Sequence, residues 1–273
     1  MRLTGLFLYP VKSLRGCAVP HATVDELGLA GDRRFLVVDE AGRFLTQRTL
    51  PAMARIETAL DATTLILRTA GHGEVAVPRA PAAAATLRSV TIWKSSGLLA
   101  EDCGDEAARW LGGFLGIACR LVRIGPAFVR PVLKAAAGPG DRVHFADAVP
   151  FLAVGEASLA DLNDRLVASG EEPVPMDRFR PNFVLTGGAP YEEDTWTRVR
   201  IGGITFRAAG PSVRCAIPTT DQQTGERHHE PLRTLARYRR APASPADVIF
   251  GQNLIHETKS GELHVGDSIT LLG

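Results

Sequence analysis

Residues 151–166 read Phe-Leu-Ala-Val-Gly-Glu-Ala-Ser-Leu-Ala-Asp-Leu-Asn-Asp-Arg-Leu. Phe151 to Val154 form a continuous apolar run, the pattern of a strand buried on both faces. It leads directly into a segment in which Leu159, Leu162 and Leu166 recur at helical spacing, and Gly170 stands where a helix stop is expected. The pattern predicts a strand over Phe151–Val154 and a helix over Glu156–Ala168. Around this unit most of the sequence has strand character. Leu3–Tyr9 is a first strand, and Phe35–Asp39 with Phe44–Thr46, and Leu65–Thr69 with Glu74–Val77, are hairpins across Gly-containing turns. Further on, Asn182–Thr186, Arg198–Ile201 and Ile204–Ala208 are strands, the last two joined by Gly202-Gly203, and Val248–Leu272 is again β. Two more helices are expected, over Asp105–Leu115, where Gly116 ends it, and around Leu232–Arg239. The implied class is α+β, mostly β, built on barrel-like sheets.

The chain is long enough for one large or two intimate domains, and the Pro- and Gly-containing stretch from Gly125 to Gly140 suggests a boundary, giving 1–123 and 124–273. There is no internal repeat, and the only low-complexity stretch is Ala80–Ala85. A net charge of +1 excludes a strong global field for nucleic acid, and no apolar run is long enough to span a membrane. The amino terminus lacks a signal-peptide core, and Cys17, Cys103, Cys119 and Cys215 are dispersed without a C-x-x-C pair; both features suit a cytoplasmic protein. His228-His229-Glu230 lacks zincin spacing, and the phosphate-loop, dinucleotide and nucleophile-elbow motifs are missing.

Four segments carry unusual polar residues. At Tyr9-Pro10-Val11-Lys12-Ser13 a strand ends in a turn that can offer an ammonium and a backbone amide to an anion, although Lys12 at a solvated strand end is the plainer reading. Arg33 and Arg34 precede an apolar strand and must point to opposite sides, so one reaches the interior and the other the surface. Pro181 disfavours helix at Arg180 and presets an extended chain, which would put Arg180 and Asn182 on one side; a guanidinium beside an amide suits phosphate oxygens and a hydrogen-bonding heterocycle. Finally, Pro211-Ser212-Val213-Arg214-Cys215 places a thiol after an arginine, an arrangement that lowers a thiol pKa if exposed and suits a nucleophile or a soft-metal ligand; alone, a buried inert cysteine is the simpler account.

Together and in this order, YPVKSLRG from Tyr9, DRRFLVVDEAGRFLTQR from Asp32, FLAVGEASLADLNDRL from Phe151, DRFRPNFVLTG from Asp177 and RCAIPTTDQQTGE from Arg214 resemble the MOSC family, in the branch of the mitochondrial amidoxime-reducing component and its bacterial relatives. The resemblance implies an amino-terminal MOSC β-barrel domain followed by the MOSC domain proper. It implies a molybdenum cofactor (Mo-molybdopterin) with the metal on Cys215, and a pterin and phosphate held by Lys12, Ser13, Arg33, Arg180 and Asn182, with Ser212 and Arg214 beside the thiol. The sequence departs from the family pattern at Val213, where amidoxime reducers have Ser, at Ala148-Val149 in place of Thr-Ser, and at Arg34 in place of an aromatic residue.

The activity so implied is reduction of N-hydroxylated compounds (amidoximes, hydroxylamines) or N-/S-oxides. Because no iron–sulfur cysteine cluster follows the MOSC segment, electrons are expected from a separate flavoprotein or ferredoxin-type carrier. The competing expectation is a cofactor carrier or delivery protein, or a sulfur carrier using Cys215 as a persulfide. Substrate choice is expected from the loops Phe128–Arg142 and Gly187–Trp196.

Overall fold

The strand Phe151–Gly155 is central, as its unbroken apolar run requires. It pairs in parallel with Phe183–Thr186 and antiparallel with Ser244–His256. The computed structural model, which describes residues 1–80 and 85–272, extends this pair into a large sheet in the order Ile269–Leu272, Arg198–Ile201, Ile204–Val213, Ser244–His256, Phe151–Gly155, Phe183–Thr186, Arg2–Leu8 and Cys17–Ala18. Arg240–Ala241 pairs beside Ser244–His256. Much of the Ala80–Ala85 stretch lies outside the described residues.

One face of this sheet buries Phe151, Phe183 and Phe206, whose ring centroids lie 5.2–5.4 Å apart, with Leu3, Leu6, Leu254 and Leu263 around them. The other face receives the helix Glu156–Ala168, which packs Leu162 and Leu166 against Phe179, Leu235 and Phe250. Two smaller sheets occupy the amino-terminal half. Phe35–Val38, Arg120–Arg123, Ser95–Asp102 and Leu87–Ile92 form one, and the meander Glu57–Leu60, Thr64–Thr69 and Gly73–Pro78 forms the other. The helix Asp105–Leu115 buries Ala107 and Leu111 against the meander's side and ends where Gly116 turns left-handed at φ 71°.

The halves are joined by strand pairing. Arg2–Leu8 lies beside Phe183–Thr186, and Gly261–His264 beside His21–Asp25. The architecture is mostly β with, among the described residues, three α-helices, as the strand-rich pattern predicts. Two elements differ from expectation. The limb Phe44–Thr46 makes only a bridge at Phe44 and a bond from Leu45 N–H to Val37 O, because the rest of that edge of Phe35–Val38 is taken at Phe35 by Pro10 and Lys12. The helix expected to reach Arg239 is regular only to Leu235, because beyond it Arg237 and Tyr238 N–H bond three residues back, to Thr234 O and Leu235 O. The chain then turns into the sheet, where Arg239 O accepts from Ile249 N–H. The segment 125–140 has no regular strand, yet it is anchored through Phe128 and Val132, both buried.

Truncating Phe206 to Ala is expected to destabilise the fold by about 3–5 kcal/mol, read as a lower denaturant midpoint with an unchanged slope. A loss below about 1 kcal/mol would show that the three-ring cluster is not what holds the large sheet.

Candidate active site

Three breaks in regular backbone bring distant segments to one cavity. The strand Arg2–Leu8 ends at Pro10, and the turn after it places Ser13 at φ 66° with Lys12 N–H bonded to Phe35 O at 2.9 Å. Arg33, at φ 44°, donates its N–H to Tyr9 O at 2.8 Å, so the first two segments are locked together. Arg180 follows the short helix Met176–Arg178. Pro181 keeps Arg180 out of the right-handed helical region, but the residue is left-handed at φ 57° and not extended, because its N–H closes a turn onto Asp177 O. The fourth segment leaves Ile204–Val213 through two register shifts around Gly210 and Pro211, and this irregularity carries Ser212, Arg214 and Cys215 over the cavity.

The cavity has a volume of about 300 Å³, and Lys12, Ser13, Arg33, Arg180, Asn182, Ser212, Arg214 and Cys215 all line it. Every site residue expected from sequence therefore converges on one place. Arg34 points elsewhere, into a two-oxygen ion pair with Asp25 at 2.7 and 2.9 Å, so it is a half-buried ion-pair partner and not a free surface charge.

The remaining polar wall was not legible in the sequence. Asp147 sits at the mouth, its carboxylate receiving Lys12 Nζ, Arg48 Nη2 at 2.6 Å and Trp93 Nε1 at 3.0 Å. The surrounding protein works against its charge, yet Lys12 and Arg48 hold the carboxyl well below the ordinary carboxylate range. Arg48 and Lys134 also line the cavity, which makes six basic side chains against the one carboxylate of Asp147. Arg48 falls within the quoted DRRFLVVDEAGRFLTQR segment and Asp147 just precedes Ala148-Val149, but their pairing spans 99 residues and left no local signal.

Burial sets the electrostatics. Desolvation pulls Lys12 down to about 8 even though Asp147 favours its charged form. Arg180 is likewise lowered to about 10 by burial, with the Tyr9 hydroxyl opposing. The guanidinium carbons of Arg33 and Arg180 lie 4.6 and 4.3 Å from the Tyr9 ring centroid. Arg33 also bonds Asp32 at 2.5 Å and Asn182 Oδ1 at 3.1 Å. Both polar atoms of the Asn182 amide are engaged by the protein, since its Oδ1 also accepts from Leu152 N–H and its Nδ2 donates to Phe7 O. It holds three segments in register at the cavity wall.

Arg48 Nη1, Arg180 Nη2 and Arg214 Nε are buried and have no partner among the described residues. Such a donor costs roughly 1–3 kcal/mol when unpaired, more when charged, and a bound anion removes that cost. Cys215 is a free, half-buried thiol in the same wall. The donor set thus fits a ligand with an anionic group and a soft metal.

Comparison with known proteins bears on what that ligand is. Residues 1–118 match the MOSC N-terminal beta barrel domain and residues 140–270 the MOSC domain. The chain is 36% identical to mitochondrial amidoxime-reducing component 1 of Mus musculus over 98% of its length and 81% of that protein. It is 34% identical to mitochondrial amidoxime reducing component 2 of Bos taurus, over 97% and 81% respectively. The chain belongs to the MOSC family, in the branch of the amidoxime-reducing components. It is also 32% identical to a molybdenum cofactor sulfurase of Danio rerio, over 96% of this chain but 33% of that protein. Against the MOSC frame, the cavity lies where the sheet joining both matched regions meets the irregular end of Ile204–Val213.

The Lys12 ammonium gives the MOSC cavity a pH dependence. In the cofactor-free protein it discharges near 8, whereas in the unfolded chain it holds its proton to about 10.5. Between these values the unfolded chain binds more protons, so Lys12 adds stability as pH rises through that window, while anion affinity falls. Sulfate affinity, free of titration of the anion itself, is expected to drop about tenfold (~1.4 kcal/mol) through pH 8, and this step should vanish in Lys12→Met. A flat wild-type profile would exclude Lys12 from anion binding.

Proposed function

We propose that this chain is a molybdenum-cofactor-dependent reductase of N-hydroxylated or N-/S-oxide compounds. The carrying observation is that Cys215 and the cations Lys12, Arg33, Arg48, Arg180 and Arg214, drawn from distant segments, share one cavity in which three buried guanidinium nitrogens, one each of Arg48, Arg180 and Arg214, lack partners among the described residues. The similarity to amidoxime-reducing components over 98% of the chain supplies the reaction class.

In this reading Cys215 is the metal ligand. Lys12, Arg33 and Arg180 hold the phosphate, and Ser13 and Ser212 supply hydroxyls. Asn182 acts by fixing Arg33 and the Leu152 backbone. When bound, the cofactor supplies two-electron redox chemistry at molybdenum, and the protein supplies orientation and electrostatics. Phe151, Val149 and Phe179 form an apolar part of the wall that limits water near the thiol. Ala148 and Val149 carry no hydroxyl, so contacts there fall to backbone groups.

Residues 1–123 and 124–273 would act as one unit, because Lys12 and Arg33 come from the first and Cys215 from the second. Electrons would arrive from a separate flavoprotein or ferredoxin-type donor. The four free cysteines suit a reducing compartment, and we assign the cytoplasm; no helix among the described residues is long and apolar enough to cross a membrane.

Protein purified from a cofactor-competent host is expected to contain stoichiometric molybdenum and pterin, and Cys215→Ala to lose the metal. Arg180→Ala should lower pterin content severalfold. Loaded wild type with an artificial electron donor should reduce an amidoxime or hydroxylamine. If it reduces no hydroxylamine, amidoxime, N-oxide or sulfoxide, the reductase reading is wrong, and exchange of cofactor to an acceptor apoenzyme would then favour a carrier.

A further inference from the structure

Among the described residues five non-glycine residues adopt positive φ, and Ser13, Arg33 and Arg180 among them line the cavity. A fourth, Trp93 at φ 52°, does not line the cavity itself but adjoins its mouth through a hydrogen bond to the lining residue Asp147. Trp93 occupies the first position of the two-residue loop between Leu87–Ile92 and Ser95–Asp102, where positive φ ordinarily selects glycine. A bulky residue there is strained, and strain of this kind persists where the surroundings or the function demand it. The indole does not escape into the core, since 51% of Trp93 remains exposed.

Its position is fixed by partners that belong to the cavity. Trp93 Nε1 donates to Asp147 Oδ1 at 3.0 Å, the Arg48 guanidinium lies 4.8 Å from the ring centroid, and Phe44 packs edge-on at 5.0 Å. Asp147 and Arg48 line the cavity wall together with Cys215 and Val213, the last 50% exposed. The mouth therefore offers a rigid, half-bare aromatic surface and an aliphatic one above a deeply cationic floor. A hydrogen-bonded, cation-stacked indole has little rotamer freedom left to lose on binding a flat apolar group.

We propose that Trp93 is a specificity-determining residue, a substrate-facing wall that selects N-hydroxylated compounds bearing a flat aromatic body over small aliphatic ones. This rests on the reductase reading. The N–O group enters toward Cys215 while the ring lies along the Trp93 side of the mouth. The hairpin Leu87–Asp102 would then govern substrate choice, with the loop Phe128–Arg142, which lines the cavity at Lys134; the other loop expected to do so, Gly187–Trp196, contributes no lining residue.

The test is binding by the oxidised, cofactor-loaded protein without any electron donor, so that nothing turns over. Dissociation constants are measured for an amidoxime carrying a phenyl ring and for its methyl counterpart, normalised to molybdenum content. Wild type is expected to prefer the phenyl compound about tenfold or more. Trp93→Gly adopts the same backbone without strain and therefore folds, and its preference should fall to within about twofold. Trp93→Phe, which keeps an aromatic face but not the bond to Asp147, should retain most of the preference. A wild-type ratio near one, or an undiminished ratio in Trp93→Gly, overturns the proposal. Discrimination in binding without turnover once a donor is added would remove the reductase reading while leaving the wall in place; turnover without discrimination would do the reverse.

Discussion

Crowding several guanidinium and ammonium groups into one cavity is the constraint around which the rest of the structure is arranged. The half-buried Arg33 and the buried Arg180 share one tyrosine ring and repel each other, and desolvation penalises Arg180. The fold offsets this with fixed negative charge placed just behind or beside the cations. Asp32 is completely buried and takes Tyr9 N–H at 2.7 Å and Arg33 at 2.5 Å, while Asp147 gathers Lys12, Arg48 and Trp93. Arg130 in turn binds the carbonyls of His144 and Asp147 at 2.8 and 2.9 Å, so the loop that carries Asp147 is itself held by a buried charge. The compensation is incomplete at Arg48, Arg180 and Arg214, and that deficit lies in the wall of the cavity, where a ligand can supply the missing acceptor.

This arrangement explains why the two matched regions are interleaved. A cation cluster assembled from Lys12, Arg33, Arg180 and Arg214 needs the segment after Arg2–Leu8 beside the segment before Phe183–Thr186, and the pairing of those two strands provides it. Asn182 reinforces the seam from within, donating to Phe7 O and accepting from Leu152 N–H and Arg33. Two detached domains would leave half of the charge on each, with neither half able to enclose an anion.

The parts legible in the sequence are those set by short-range physics. The apolar run at Phe151, the helical spacing of Leu159, Leu162 and Leu166, and the stops at Gly116 and Gly170 each depend on a few neighbouring residues, and all appear where local rules place them. The site residues were visible because polar groups interrupt apolar strands at Lys12, Arg33, Arg180 and Cys215. What escaped depends on distant partners. Leu232–Leu235 gives way to tighter turns because the chain must bend back into the sheet, where Ile249 N–H, ten residues on, binds the Arg239 carbonyl. Arg180 is left-handed because a turn closes onto Asp177, a geometry that the rule for residues before proline does not specify. Asp147 and Arg48 each look like ordinary surface charges until folding brings them together.

The strained residues tie these points together. Ser13, Arg33, Trp93 and Arg180 share no sequence motif, yet each holds positive φ at or beside the cavity. An ordinary strand sends alternate side chains to opposite faces, so the direction of each of these groups would be set by the register of its own strand. A left-handed residue reverses the local direction of the chain and aims its side chain off the strand's own pattern. Each reversal is unfavourable by itself and is sustained by bonds made nearby: Lys12 N–H to Phe35 O before Ser13, Arg33 N–H to Tyr9 O, Trp93 Nε1 to Asp147, and Arg180 N–H to Asp177 O. The register shifts near Pro211 do the same for Cys215 from the opposite wall. Convergence on the cavity is thus achieved by departures from regular structure, which the large sheet is stable enough to tolerate because its own core, around Phe151, Phe183 and Phe206, lies outside them.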